Sequence, residues 1–125
     1  MTSIKCMQLN CHKSKAVTTN IRNDLFKKAD IAFLQEPHTY KEDIVGLNTY
    51  NVMHGANQGL RPRAAIVAKR NIKIWFHKEL SDKDTAVAII KNGYTEIYVA
   101  SVYLDILRPL TVSYTHLTLP TTPYV

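Results

Sequence analysis

The chain has 125 residues, of which 46% are hydrophobic and 21% are charged, and its formal net charge at pH 7 is +6. These values are typical of one globular domain, and the lack of any run of about 18 or more apolar residues excludes a membrane-spanning helix. The first residues lack the basic and apolar segments of a secretory signal, and Cys6 and Cys11 form no CxxC pair. We therefore predict an intracellular protein, nuclear or cytoplasmic and not secreted, with reduced thiols and with no zinc site or disulfide.

The first forty residues predict a strand, a helix and a second strand. "SIKCMQLN" is strand-like and ends at Asn10, and Ser14 is a suitable N-cap for a helix over residues 15 to about 28. One face of that helix carries an apolar stripe made of Val17, Ile21 and Leu25. Residues 31–35 form a short apolar strand, so this opening resembles a βαβ unit with parallel neighbouring strands.

The rest of the chain up to residue 104 predicts a series of strands with short connections. The candidate strands are "LNTYNVMHG", which Gly55 closes, and then "RAAIVAK", "IKIWFH", "TAVAIIK" and "EIYVASVYL". An Asn-Gly pair at residues 92–93 indicates a hairpin between the last two. One helix followed by many strands favours a mixed α/β layered sandwich over a doubly wound sheet.

A basic segment runs from residue 61 to residue 78 without any Asp or Glu. Its cations are Arg61, Arg63, Lys69, Arg70, Lys73 and Lys78. Such a segment attracts a polyanion such as nucleic acid, because phosphate neutralisation does not depend on base sequence. The alternative is a solvated strand pair whose Lys and Arg residues keep its edge soluble.

The last fifteen residues, 111–125, contain five Thr and no Lys, Arg, Asp or Glu. Within them "VSYTHLTLPT" resembles the conceptual translation of a transposase mosaic-end adapter used in sequencing libraries. We therefore predict that residues 111–125 are an adapter-derived artefact and that residues 1–110 are a fragment. The alternative is a genuine Thr-rich C-terminus.

Three polar side chains each follow an apolar strand: Asn10, Glu36 and Tyr103. The carboxyl ends of parallel strands meet at one edge of a sheet, so Asn10 and Glu36 are expected there together. Mg²⁺ prefers oxygen ligands and commonly takes one or two carboxylates, with water and substrate phosphate filling its other positions. Taken by position alone, Glu36 could equally mark where a strand meets water, Asn10 a turn, and Tyr103 a core aromatic residue.

The segments "MQLNCHKSKA", "DIAFLQEPH" and "YVASVYLD" together resemble the N-terminal half of an endonuclease/exonuclease/phosphatase domain. The form they most resemble is the apurinic-like endonuclease domain of non-LTR retrotransposons, and the resemblance covers about residues 4–107. It implies part of a four-layer α/β sandwich, a mixed β-sandwich flanked by helices. It also implies hydrolysis of a phosphodiester that nicks target DNA, in a polyprotein with a downstream reverse-transcriptase domain.

The resemblance implies a role for each matching residue. Glu36 would bind Mg²⁺ or Mn²⁺, Asn10 would support the metal site and the scissile phosphate, and Tyr103 would hydrogen-bond the phosphate in catalysis. Arg61 and Arg63 would contact the DNA backbone.

The sequence also departs from the family pattern. His12 stands where some members carry an acidic residue, and Asp105 is not followed by Asn at the second position. Neither the D-x-N nor the S-D-H motif occurs, so we expect this chain not to cleave DNA efficiently. A phospholipid or phosphoinositide phosphodiesterase of the same fold, and a non-catalytic nucleic-acid-binding fragment, are the alternatives.

Overall fold

The computed structural model describes residues 3–57 and 59–104, except for the side chain of Phe26. The predicted adapter-derived segment 111–125 and the predictions about Asp105 lie outside the described residues.

The opening of the chain folds as its pattern predicts. Strand β1 (Cys6–Asn10) is followed by helix α1 (Lys15–Lys27) and strand β2 (Ile31–Gln35). The Ser14 hydroxyl accepts a hydrogen bond from the backbone N–H of Val17 at 3.2 Å, which satisfies one of the open donors at the helix start. Strands β1 and β2 pair in parallel, with Asn10 opposite Gln35.

Seven further strands and one short helix follow. They are β3 (Thr39–Tyr40), β4 (Asp43–Ile44), β5 (Asn51–Met53), β6 (Ala64–Ala68), β7 (Ile74–Phe76), a 3₁₀ helix (Lys78–Leu80), β8 (Thr85–Asn92) and β9 (Thr95–Val102). The short pair β3–β4 and the 3₁₀ helix were not predicted. The predicted strand over residues 47–55 is wrong in length, because a turn closed by the Tyr50 N–H and the Leu47 carbonyl, 3.0 Å apart, occupies its first part.

The described strands of the two larger sheets form two layers with the helix as a third. The first sheet has the order β1-β2-β6-β5, and the second is the antiparallel meander β7-β8-β9. Ile21 and Leu25 of α1 are fully buried in one core cluster with Leu34 and Val67. A second cluster lies between the sheets and is composed of Ile31, Met53, Ile66, Ala68, Ile74, Ala86, Ala88 and Ile90. This helix–sheet–sheet arrangement confirms the mixed α/β layered sandwich.

A buried polar bridge joins the two sheets near one end. The side-chain amide of Gln35 donates to the hydroxyl of Ser101 at 3.0 Å, and that hydroxyl donates to the carbonyl oxygen of Leu34 at 2.7 Å. Gln8 of β1 hydrogen-bonds the side chain of Gln35 from the other side. Strands β1, β2 and β9 are therefore fixed relative to one another at the end where the predicted site residues lie.

A tight hairpin connects the last two described strands. The hairpin between β8 and β9 turns through Gly93 and Tyr94, and Gly93 has a φ of 63°, which suits the first loop position of a type II′ turn. In the part of the chain that the structure describes, no helix combines the length and apolar character needed to cross a membrane.

Candidate functional site: a basic cleft at the strand ends

The ends of three strands of the first sheet meet at one edge. Because β2 is parallel to β1 and antiparallel to β6, the residues after β1 and β2 lie beside the residue before β6. The backbone N–H of Glu36 donates to the carbonyl of Arg63 at 2.9 Å, and the N–H of Lys13 donates to the carbonyl of Glu36 at 2.7 Å. Asn10 and Glu36 are thus at the same edge, as the parallel pairing led us to expect.

The second sheet contributes Asp84 and Tyr103 to the same edge. Asp84 precedes β8 and Tyr103 follows β9, and the Tyr103 N–H donates to the Asp84 carbonyl at 2.8 Å. The Arg63 guanidinium donates to both carboxylate oxygens of Asp84, with Nε–Oδ1 at 2.7 Å and Nη2–Oδ2 at 2.9 Å. The central carbon of this guanidinium, Cζ, lies 4.7 Å from the centroid of the Tyr103 ring, which is a cation–π contact.

A cleft of about 500 Å³ opens beside these strand ends. Its lining residues are Lys13, Glu36, Pro37, His38, Thr39, Arg61, Pro62, Arg63 and Lys83. Four of the nine are Lys or Arg, and one is a carboxylate. A concave surface with this excess of positive charge concentrates field lines and attracts anions such as phosphates.

The backbone around the cleft contains an unusual concentration of left-handed residues. His12, Lys13 and Glu36 have φ values of 50°, 61° and 50°. Residues with a Cβ adopt this conformation at a cost of about 1 kcal/mol each, and such residues cluster at functional sites. The tight turns that result bring the backbone of Lys13 against that of Glu36.

The two carboxylates near the cleft differ in their surroundings. Glu36 is half-buried, and its carboxylate makes no hydrogen bond or ion pair with any residue of 3–57 or 59–104. Asp84 is only 3% exposed. Burial by itself would raise the pKa of Asp84, but hydrogen bonds and charges from Arg63 and Lys83 outweigh burial and lower this pKa below its ordinary value.

The donor set permits a magnesium ion through one protein carboxylate. Among the residues the structure describes, no group of three or more His, Cys, Asp and Glu could hold a metal. Glu36 alone is compatible with Mg²⁺, which commonly takes one or two carboxylates and fills its remaining positions with water and substrate phosphate. The Asp84 carboxylate is engaged by Arg63 and Lys83 instead.

Of the remaining predicted site residues, some line the cleft and others lie beside it. The side-chain oxygen of Asn10 accepts from the backbone N–H of His12 at 2.9 Å, so Asn10 stabilises a turn, which was one of its two interpretations. Arg61 is exposed and lines the cleft directly. Tyr103 is half-buried and touches Arg63, and neither Asn10 nor Tyr103 is among the described residues that line the cleft.

Sequence reasoning missed three residues of this edge: Lys13, Lys83 and Asp84. Asp84 directly precedes the apolar run of β8, so a criterion that also considered polar residues before a strand could have found it. Lys83 and Lys13 belong to loops whose position depends on the pairing of distant strands. No local pattern indicates that they face the same cleft.

Comparison with known proteins supports the predicted fold. No family model and no curated protein matches the chain. Among solved structures, it is similar to the endonuclease domain of TRAS1, a telomere-specific non-LTR retrotransposon, with a TM-score of 0.72 and 21% sequence identity. The similarity covers 90% of this chain and 50% of that chain, so this chain spans half the length of that domain.

At this identity the similarity establishes the fold. The chain has the mixed α/β fold of an endonuclease domain, over half of that domain's length. The TRAS1 domain comes from a non-LTR retrotransposon, which is the class of protein that the sequence motifs resemble.

Proposed function

We propose that this chain is part of a divalent-metal-dependent DNA endonuclease, which hydrolyses a phosphodiester to nick target DNA in retrotransposition. The observation that carries the proposal is the basic cleft, in which the Glu36 carboxylate, with no hydrogen bond or ion pair to any other described residue, lies among four cations at the strand ends. The fold similarity to the TRAS1 endonuclease domain supports the same reaction class. In a complete polyprotein, a reverse-transcriptase domain would extend the nicked strand.

Four residues that line the cleft, and two that lie beside it, have defined parts in this proposal. Glu36 would hold Mg²⁺ or Mn²⁺, and the bound ion would stabilise negative charge on the phosphate oxygens. Arg61, Lys13 and Lys83 would neutralise backbone phosphates and so position the DNA without reading its sequence. Tyr103 would donate its hydroxyl to the phosphate, and Asn10 would keep the turn beside Glu36 in place.

The sequence lacks the D-x-N and S-D-H motifs that the resemblance associates with activating water. We therefore expect the chain to bind DNA and a divalent ion without nicking DNA efficiently. For this chain the proposal therefore concerns binding of DNA and of a divalent ion. It assigns catalysis only to a domain that contains those motifs.

Binding of a fluorescent DNA duplex, measured by anisotropy over a range of salt concentrations, tests the proposal. We expect the wild-type affinity to fall steeply with salt, and Arg61→Ala to reduce the slope of log K against log salt by about one. Arg22→Ala is the matched control, because Arg22 is exposed on α1 and does not line the cleft. Absence of duplex binding, or equal slopes for the two Arg variants, would overturn the proposal.

Two further measurements separate the alternatives. Binding to phosphoinositide-containing vesicles, with no binding to the duplex, would favour a lipid phosphodiesterase. A divalent-ion effect on DNA binding that is equal in wild type and Glu36→Gln would favour a non-catalytic nucleic-acid-binding fragment.

A further inference from the structure

Asp84 is a buried carboxylate for which neither the fold nor the proposed reaction has yet supplied a reason. Its side chain is 4% exposed, and carboxylates are rarely so buried unless they are paired. Its partners include Arg63, which donates to both carboxylate oxygens, and Lys83, whose Nζ lies 3.3 and 3.2 Å from the two oxygens. A buried ion pair is a poor source of stability, because apolar residues of similar volume often do as well. Its geometry therefore needs another explanation.

The backbone around Asp84 ties the two sheets together at the cleft. The N–H of Arg63 donates to the carbonyl of Lys83 at 2.6 Å, and the N–H of Tyr103 donates to the carbonyl of Asp84 at 2.8 Å. The Asp84 N–H itself donates to the Asp82 carboxylate at 2.8 Å, which fixes the turn before β8. Asp84 is consequently held from its backbone as well as from its side chain.

Arg63 and Lys83 both connect Asp84 to the cleft, and Arg63 also contacts Glu36 and Tyr103. The carbonyl of Arg63 anchors the N–H of Glu36, its guanidinium carbon lies over the Tyr103 ring, and its side chain is 28% exposed and lines the cleft. The two parallel hydrogen bonds that the guanidinium donates to the Asp84 carboxylate fix the plane of the guanidinium, which a single contact would not do.

We propose that Asp84 is a positioning residue, which holds the Arg63 guanidinium against Tyr103 so that Arg63 presents its charge to a DNA phosphate in the Glu36 cleft. This inference rests on the proposed function for the identity of the ligand, and on the geometry of Asp84, Arg63 and Tyr103 for the arrangement itself.

The variant Asp84→Asn distinguishes a positioning role from an effect of net charge, because the two predict opposite changes in DNA affinity. It removes one negative charge, so the net charge of the chain rises from +6 to +7 (6 + 1), and charge alone predicts tighter DNA binding with a steeper salt slope. Positioning predicts weaker binding, with a salt slope lower by about one because one ordered phosphate contact is lost. Equal or tighter binding by folded Asp84→Asn would overturn the proposal.

A second variant decides the matter if Asp84→Asn does not fold. Arg63→Lys keeps the charge but cannot make the two parallel hydrogen bonds. Its matched control is Arg22→Lys, because Arg22 is exposed on α1, lies outside the basic segment and does not line the cleft. We expect Arg63→Lys to weaken DNA binding and Arg22→Lys to leave it unchanged. Indistinguishable affinities for these two variants would contradict the positioning role.

NMR spectroscopy supplies a readout that does not depend on DNA. In wild type, the Arg63 Nε–H should exchange slowly with water, and the Tyr103 ring signals should reflect the neighbouring guanidinium. Asp84→Asn should speed that exchange and shift those ring signals. If wild type does not bind DNA, the proposed function fails, and these spectra still decide the positioning. Unchanged Nε–H exchange and ring signals in folded Asp84→Asn would overturn it.

Discussion

The bridge between Gln35 and Ser101 provides a quantitative test of how the two sheets are held together. Ser101 is 1% exposed, and its hydroxyl both accepts from the Gln35 amide and donates to the Leu34 carbonyl. Ser101→Ala leaves these two polar groups buried without that partner, which costs about 1–3 kcal/mol in total. We expect the free energy of unfolding to fall by about 2 kcal/mol and the melting temperature by roughly 10 °C.

Urea denaturation and a thermal melt followed by circular dichroism measure both quantities. Thr95→Ala is the control, because Thr95 is an exposed hydroxyl residue on the same strand, β9. A double-mutant cycle with Gln35→Met should give a coupling energy of about 0.5 kcal/mol or more, since the two side chains contact each other directly. If Ser101→Ala were no less stable than Thr95→Ala, the bridge would not contribute to the stability of the fold.

Three further predictions concern the helix cap, the inter-sheet core and pH. Ser14→Ala should destabilise the chain by about 1 kcal/mol in urea denaturation, because the Val17 N–H loses its cap, and an unchanged midpoint would contradict the capping role. Ile66→Ala should cost about 2–5 kcal/mol by the same assay, since Ile66 is fully buried between the sheets, and a loss below 1 kcal/mol would argue against a close-packed core. The lowered pKa of Asp84 predicts stability that is present above its ordinary value of 3.8 and is lost as the pH falls below it through the folded-state pKa. Unfolding curves at several pH values should show that loss in wild type and a smaller one in Asp84→Asn, whereas identical pH profiles would refute it.

The elements with strong local signals could be predicted from the sequence. The cap at Ser14, the apolar stripe of α1 and the continuous apolar run of β2 each specify their structure within a few residues. Strand β5 was overestimated because a strand ends where its partner does, and β5 pairs only with residues 66–68 of β6. The 3₁₀ helix has no buried residue, so no hydrophobic pattern in the sequence could predict it.

The candidate site could be predicted only in part, for a related reason. Asn10 and Glu36 were placed at one edge because parallel pairing of β1 and β2 follows from their βαβ-like order. The contact between Arg63 and Asp84 joins residues 21 positions apart on different sheets, and it depends on how those sheets pack. Asn10 illustrates a further limit of prediction from sequence. An Asn side chain can stabilise a turn or bind a ligand, and the residue type alone does not distinguish these roles.

The most direct test of the account is divalent-ion binding at Glu36. Mn²⁺ is a suitable probe, because its paramagnetism permits a titration by electron paramagnetic resonance in the presence of duplex DNA. We expect Glu36→Gln to weaken Mn²⁺ binding by about tenfold or more. Glu79→Gln should leave it unchanged, because the Glu79 side chain is 85% exposed on the 3₁₀ helix and does not line the cleft. Equal Mn²⁺ affinity in wild type and Glu36→Gln would contradict the assignment of this cleft as the metal-binding edge of an endonuclease fold.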